Sequence, residues 1–213
     1  MPAMLTAPFR PSAPASPADF ADPAWAGTPV VPLGRTWRGD DAPPAIASTV
    51  RLLWTPDHAW FGFTCPFTEL DVDADPDPAV ERMGLWERDV CEVFVQGPAE
   101  PDAGHYKEFE VAPTGQWCDV AIHQPRVDID WGWQSGMRAA GAIDTAGGVW
   151  RAAIGVPFDA VGGAPHPGDS WRINLFRVSR AGGARHFLAY APTGTPAPDF
   201  HVPAAFVPLT FTR

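Results

Sequence analysis

Apolar and polar residues alternate with a period of two along most of the chain, the pattern of strands with unlike faces. It is clearest in Leu85-Trp86-Glu87-Arg88-Asp89-Val90-Cys91-Glu92-Val93-Phe94-Val95-Gln96 and in Tyr106-Lys107-Glu108-Phe109-Glu110-Val111. Cys91, Val93 and Val95 share one face, and Phe109 and Val111 can join them in a core. Glu92 lies on the opposite face with Val90 and Phe94, as do Glu108 and Glu110 with Tyr106. Acidic residues are depleted in strands and costly to bury unpaired, so that face is either wet or holds cations or a polar ligand.

The same period predicts the flanking elements. Thr49–Trp54 and Ala59–Cys65, joined through Pro56-Asp57, form a hairpin. Val30-Val31-Pro32-Leu33 is an edge strand, because its proline cannot donate to a ladder on both sides. In Trp117–Ile122 the apolar triplet Cys118, Val120 and Ile122 is expected to face inward, leaving Trp117 and Asp119 on the carboxylate-bearing side. Further strands are predicted over Met137–Ile143, Val149–Val156, Ser170–Arg180, His186–Tyr190 and Phe206–Phe211. Phe158–Val161 reads as one helical turn. Val127-Asp128-Ile129-Asp130-Trp131-Gly132-Trp133 reads as a loop whose tryptophans are either a platform or core anchors. In the late strand, Ile173 and Leu175 mark the core side and Arg172 and Asn174 the other. About ten short strands with no convincing helix predict an all-β, two-sheet antiparallel sandwich of immunoglobulin-like or jelly-roll-like type. Residues 1–24, rich in Pro, Ala and Ser, are expected to be an extended or disordered lead-in, with the sandwich over 25–213.

Composition agrees with one large β-domain: 213 residues, 46% hydrophobic, with 26 Pro and 20 Gly for turns. The net charge of −10 and the lack of any Lys/Arg run argue against nucleic acid and anionic membranes as partners. Cys65, Cys91 and Cys118 lack CxxC spacing, and an odd count predicts unpaired, buried thiols. No signal peptide and no apolar membrane span is seen, which points to a cytoplasmic location. The acidic stretch Glu69–Pro78, with Asp71, Asp73, Asp75 and Asp77, is either a solvated loop or a calcium loop, though it lacks EF-hand spacing.

Taken together, Glu92, Glu108, Glu110, Asp119, Arg172 and Asn174, with Trp86 and the Trp131/Trp133 pair, could form a carbohydrate site. Aromatic rings cover the C–H faces of a sugar, and carboxylates, Arg and Asn satisfy its hydroxyls. The alternative is that these charges pair across the sheet and bind nothing.

The segments LWERDVCEVFVQ, YKEFEVAPTGQWCDV, SWRINLFRVSR and FHVPAAFVPLTF resemble the family-nine carbohydrate-binding modules. More closely, they resemble bacterial stand-alone family-nine-like proteins of the DOMON-type sandwich superfamily, from about Val30 onward. That resemblance implies an antiparallel sandwich that binds a mono- or oligosaccharide between two aromatic rings, carries a structural calcium and acts in carbohydrate catabolism. It implies Trp86 as the first stacking ring, Glu92 as the acidic sugar contact, and Arg172 and Asn174 as polar contacts. Tyr190, in Ala189-Tyr190-Ala191-Pro192, stands for the second ring, and Glu110 stands where those modules use a basic residue. Other readings are a structural or partner-binding sandwich and a haem-binding domain with Met83, Met137, His105 or His201 as ligands. A glycosidase using Glu92 and Glu108 is disfavoured, since no nucleophile or metalloprotease motif accompanies them.

Overall fold

The computed structural model describes residues 4–98, 100, 102 and 104–213. Among the described residues thirteen strands form two sheets packed face to face. The larger sheet runs in the order β1 (Leu5–Pro8), β13 (Val207–Thr212), β11 (Ser170–Ala181), β5 (Val90–Gln96), β6 (Tyr106–Val111), β7 (Trp117–Gln124), β8 (Asp128–Asp130). β12 (Ala184–Ala189) also pairs with β11. The long β11 is thus shared on one edge, with β13 along its first residues and β12 along its last. The smaller sheet runs β2 (Val30–Leu33), β3 (Ser48–Trp54), β4 (His58–Pro66), β10 (Val149–Pro157), β9 (Arg138–Asp144). All pairs are antiparallel except β1 with β13. The two-sheet sandwich, the β3–β4 hairpin and the β2 edge strand are as the alternation predicts. Among the described residues no helix is long and apolar enough to cross a membrane.

Between the sheets lies the main core. Cys91, Val93, Val95, Phe109 and Val111 of the large sheet meet Val50, Leu52, Phe61, Phe63, Trp150 and Ile154 of the small one. The large sheet is apolar on its far face as well, where Val90, Phe94, Tyr106, Cys118, Val120, Phe176 and Val178 pack under Leu85, Phe200 and Phe206. This second layer overturns two expectations. Cys118, Val120 and Ile122 face outward, because Cys118 stands opposite Glu110 and Val120 opposite Glu108 in the ladder. Asp119, opposite Phe109, turns toward the sandwich interior, where its carboxylate accepts from the backbone N–H (3.1 Å) and the hydroxyl of Ser135. With both sides of the sheet apolar, alternation alone does not say which side is which.

The expected lead-in is built into the fold. β1 pairs in register with β13 through Leu5↔Leu209 and Ala7↔Phe211, and Leu5 and Ala7 are buried in the main core. Farther along, Phe20 and Trp25 cover the outer face of the small sheet against Leu53, Trp60 and Ala153. Trp25 donates its indole N–H to the Pro17 carbonyl at 3.1 Å. Pro- and Ala-rich segments lack a period, yet need no ladder when single large rings anchor them on an existing sheet.

The three cysteines are unpaired and buried. Cys65 and Cys91 face each other across the main core, sulfur to sulfur 3.5 Å, while Cys118 sits on the far face.

Candidate functional site

A cleft of about 480 Å³ opens on the far face of the large sheet. Its floor comes from β5, β6 and β11, and its walls from the 85–87 turn, the β7–β8 region and the 198–201 loop. Gly84 adopts a left-handed backbone (φ 88°) that starts the 3₁₀ turn Leu85–Glu87. Leu85 plugs this turn into the outer apolar layer, and Trp86 is thereby carried to the cleft wall. Facing it is Trp131, 52% of its surface exposed after β8. The ring centroids are 5.8 Å apart and tilted by 42°. Of the two candidate tryptophans, Trp133 instead packs on Phe109 at 6.0 Å, beneath the Lys107 ammonium. Tyr190, assigned to the second ring by resemblance, is 8% exposed and belongs to the main core; Trp131 occupies the aromatic position opposite Trp86.

At the floor, strand register collects carboxylates. Glu92 of β5 is opposite Glu110 of β6, and Glu108 is next but one on β6. An oxygen of each lies within 4.8 Å of the other two. Glu92 and Glu108 line the cleft, and Glu110, with no exposed surface, lies behind them. Burial is the main force on all three. It pushes Glu108 up to about 7 and holds Glu92 and Glu110 well above the usual carboxylate range, and neighbouring glutamates raise these two further. Cys118 donates its thiol to Glu110 at 3.4 Å, its own ionisation suppressed by burial and by that carboxylate. One oxygen of Glu92 and one of Glu110 have no hydrogen-bond partner.

The cations of the cleft are already engaged. Arg126 meets Asp199 at 2.6 Å, and Arg185 meets Glu87 at 3.3 Å and the Trp86 carbonyl. Arg126 has a left-handed backbone (φ 63°), a conformation non-glycine residues adopt at a cost of about 1–2 kcal/mol. His201 lies with Nδ1 2.7 Å from the Tyr106 hydroxyl, and burial lowers its pKa to about 4, so the ring is neutral at pH 7. Its Nε2 is 4.0 Å from Glu108.

Arg172 and Asn174 do share a face with Glu92, as strand parity predicts, but they are not in the cleft. Phe176 is the residue opposite Glu92; Arg172 is opposite Gln96, ~14 Å along the strand at ~3.4 Å per residue. Arg172 bonds to Gln96 and to the carbonyls of Pro203 and Phe206. Asn174 is fully buried and pins the chain after β12 by donating to the Ala191 carbonyl and accepting from the Ala191 N–H. Sequence reasoning missed Arg126, Arg185 and Asp199, and named His201 only as a haem ligand. They lie in loops or at strand ends where no period marks them, and only the fold brings them to Glu92.

The acidic stretch does not fit a calcium loop. Asp71 pairs with Arg88 (2.7 Å) and Arg180 (3.0 Å), and Asp73 with Arg82 (3.3 Å). Among the described residues the one group of acids that converges as metal ligands would is Glu92, Glu108 and Glu110. Of the candidate haem ligands, Met137 is buried in the main core and His105 lies 2.9 Å from Asp102.

No family model and no curated protein matches the chain. Solved structures share its fold. A candidate carbohydrate-binding protein from Bacteroides uniformis is 20% identical, with a TM-score of 0.75 over 98% of each chain. A family 9 carbohydrate-binding module from Caldicellulosiruptor kristjanssonii in complex with cellotriose is 10% identical, with a TM-score of 0.67 over 99% of this chain and 94% of that one. The glucose complex of a family 9 module from the same organism is 12% identical, TM-score 0.67, over 98% and 96%. The fold is therefore the β-sandwich seen in carbohydrate-binding modules of family 9.

Proposed function

We propose that the chain binds carbohydrate without catalysing its cleavage, in the cleft between Trp86 and Trp131. The observation that carries this reading is the pairing of two tilted tryptophan rings, 5.8 Å apart, over buried carboxylates in a cleft of about 480 Å³. Such a cleft offers an apolar face for the C–H side of a pyranose and acceptors for its hydroxyls. The neighbours in fold that hold glucose and cellotriose make a hexose or a short glucan the first ligand to try. In this reading Trp86 and Trp131 stack on the ring, Glu92 and Glu108 accept from hydroxyls, and Arg126 and Arg185 edge the rim.

Aromatic contacts of this kind contribute about 0.5–1.5 kcal/mol beyond area burial. Trp86→Ala and Trp131→Ala are each expected to weaken binding roughly tenfold. Calorimetry with glucose, cellobiose and cellotriose, alongside circular dichroism to check the fold, is the test. Binding unchanged in both variants moves the site elsewhere, and a folded wild type that takes no glycan sinks the reading.

A further inference from the structure

We infer that the ligand of this cleft carries a positive charge, and that the sugar it selects is a hexosamine with a free, protonated amine. The inference rests on the carbohydrate reading above and names its ligand class. Three acidic side chains meet at the floor, with one oxygen of each within 4.8 Å of the others. Glu92 is 2% exposed, Glu108 6% and Glu110 0%. The cleft holds two arginines, and both are spent: Arg126 on Asp199, Arg185 on Glu87. Lys107, next to Glu108 in sequence, points to the other face of the sheet, where it meets Glu100. His201, the nearest other base, is kept neutral by burial. The floor is therefore acidic, Arg126 and Arg185 act on it only through space from their own ion pairs, and Glu92 and Glu110 each keep a buried oxygen without a partner.

A neutral sugar would be served as well by amides, which accept hydroxyl hydrogens without the cost of burying charge. Three acids in contact add desolvation and mutual repulsion, a cost that bound protons offset in the empty cleft and a cation offsets in the occupied one. A protonated amine donates to Glu92 and Glu108 at the cleft floor, with Glu110 adding its charge from behind, and charge-assisted bonds are about twice as strong as neutral ones. A divalent ion suits the floor less well, because hard cations seek six to eight oxygens. The neighbours of the triad on the same face are instead Phe94, Phe176, Cys118 and Val120. The tryptophans above complete the fit, since they cover the C–H face of the ring that carries the amine.

The test is calorimetry on the wild-type chain at pH 7 with EDTA present. The probes are D-glucosamine, D-galactosamine and D-mannosamine, each against its parent hexose, with N-acetyl-D-glucosamine as a bulkier, uncharged control. One charge-assisted contact set predicts at least one hexosamine binding about tenfold or more tighter than its parent, with the gain lost on acetylation. In Glu92→Gln that ratio should fall toward one. Parents that bind as tightly as all three amines overturn the inference and leave carbohydrate binding standing. Absence of binding by every sugar overturns the carbohydrate reading and the inference with it. Calcium chloride alone binding without EDTA, and lost in Glu110→Gln, would make the triad a metal site and also overturn the inference.

Discussion

At the scale of single residues, the large sheet carries two kinds of buried charge, with opposite consequences. Arg177 lies on the core side of β11 and is fully buried. It donates to the Ile46 carbonyl, the Ser48 hydroxyl, the Pro66 carbonyl and the Ser179 hydroxyl, at 2.7–2.9 Å, and its guanidinium lies 5.5 Å from the Trp150 ring. Ile46, Ser48 and Pro66 belong to the facing sheet or its approach, so one side chain ties the two layers together. Arg177→Met removes those donors and strands Asp89, its fully buried acidic partner at 3.9 Å, and removing one member of such a buried pair typically costs about 3–5 kcal/mol. Urea denaturation should show a midpoint far below that of the wild type, whereas Arg185→Met, at a partly exposed pair, should shift stability by ~1 kcal/mol or less. Equal effects would mean that Arg177 is not the clasp described. The three glutamates of the cleft floor are the reverse case, since their burial lowers stability, a cost that the proposed ligand would offset.

At the scale of elements, the segment before β2 shows how a stretch without a period can still be structural. Gly62 on β4 lies directly beneath Phe20: a Cβ there would come within 2.7 Å of the Phe20 ring and 3.0 Å of Trp25. Overpacking of this kind costs about 1–3 kcal/mol unless the neighbour moves away. Gly62→Val should therefore lift the 13–25 segment off the small sheet. Limited proteolysis is expected to cut that segment faster in the variant, with a lower Tm, while β-sheet circular dichroism persists. Unchanged protection would show that the segment is held elsewhere, for instance by Arg10, which donates to the Ala24 and Ala26 carbonyls. The 85–87 turn is the functional counterpart: a glycine start, one buried leucine and one ring presented to the cleft.

At the scale of the whole molecule, the raised carboxyls predict an unusual pH response. An unfolded glutamate titrates near 4.5, whereas burial raises Glu108 in the fold to about 7 and holds Glu92 and Glu110 well above the usual carboxylate range. The native state therefore binds more protons than the unfolded chain above pH 4.5, and stability falls as pH rises through that range. His201 opposes this only between about 4 and 6.5, because its own pKa is lowered and the unfolded chain takes up its proton first. From pH 6.5 to 8 the glutamates act alone among these groups, at roughly 1.4 kcal/mol per proton per pH unit. The melting temperature should drop by about 2–4 °C for each kcal/mol lost. Glu110→Gln should flatten the decline and raise the Tm at pH 8. A Tm that rises with pH across this window would refute the raised carboxyls.

Much of the architecture was legible in the chain itself. Period-two alternation set the strands, the β3–β4 hairpin, the core faces of β5, β6 and β11, and the outward placement of Glu92, Glu108 and Glu110, because side-chain direction in a strand is fixed by its pleat. The same rule failed at β7, where both faces meet apolar layers and the sign of the alternation is free. It was also silent on distance along a strand. Arg172 and Asn174 were placed on the right face, yet register put Phe176 beside Glu92 and carried Arg172 four residues away. Which tryptophan faces Trp86, which arginines are already paired, and that Phe20 and Trp25 cover an outer sheet depend on contacts between segments far apart in sequence. Only tertiary packing fixes such contacts, since no local preference of the backbone encodes them.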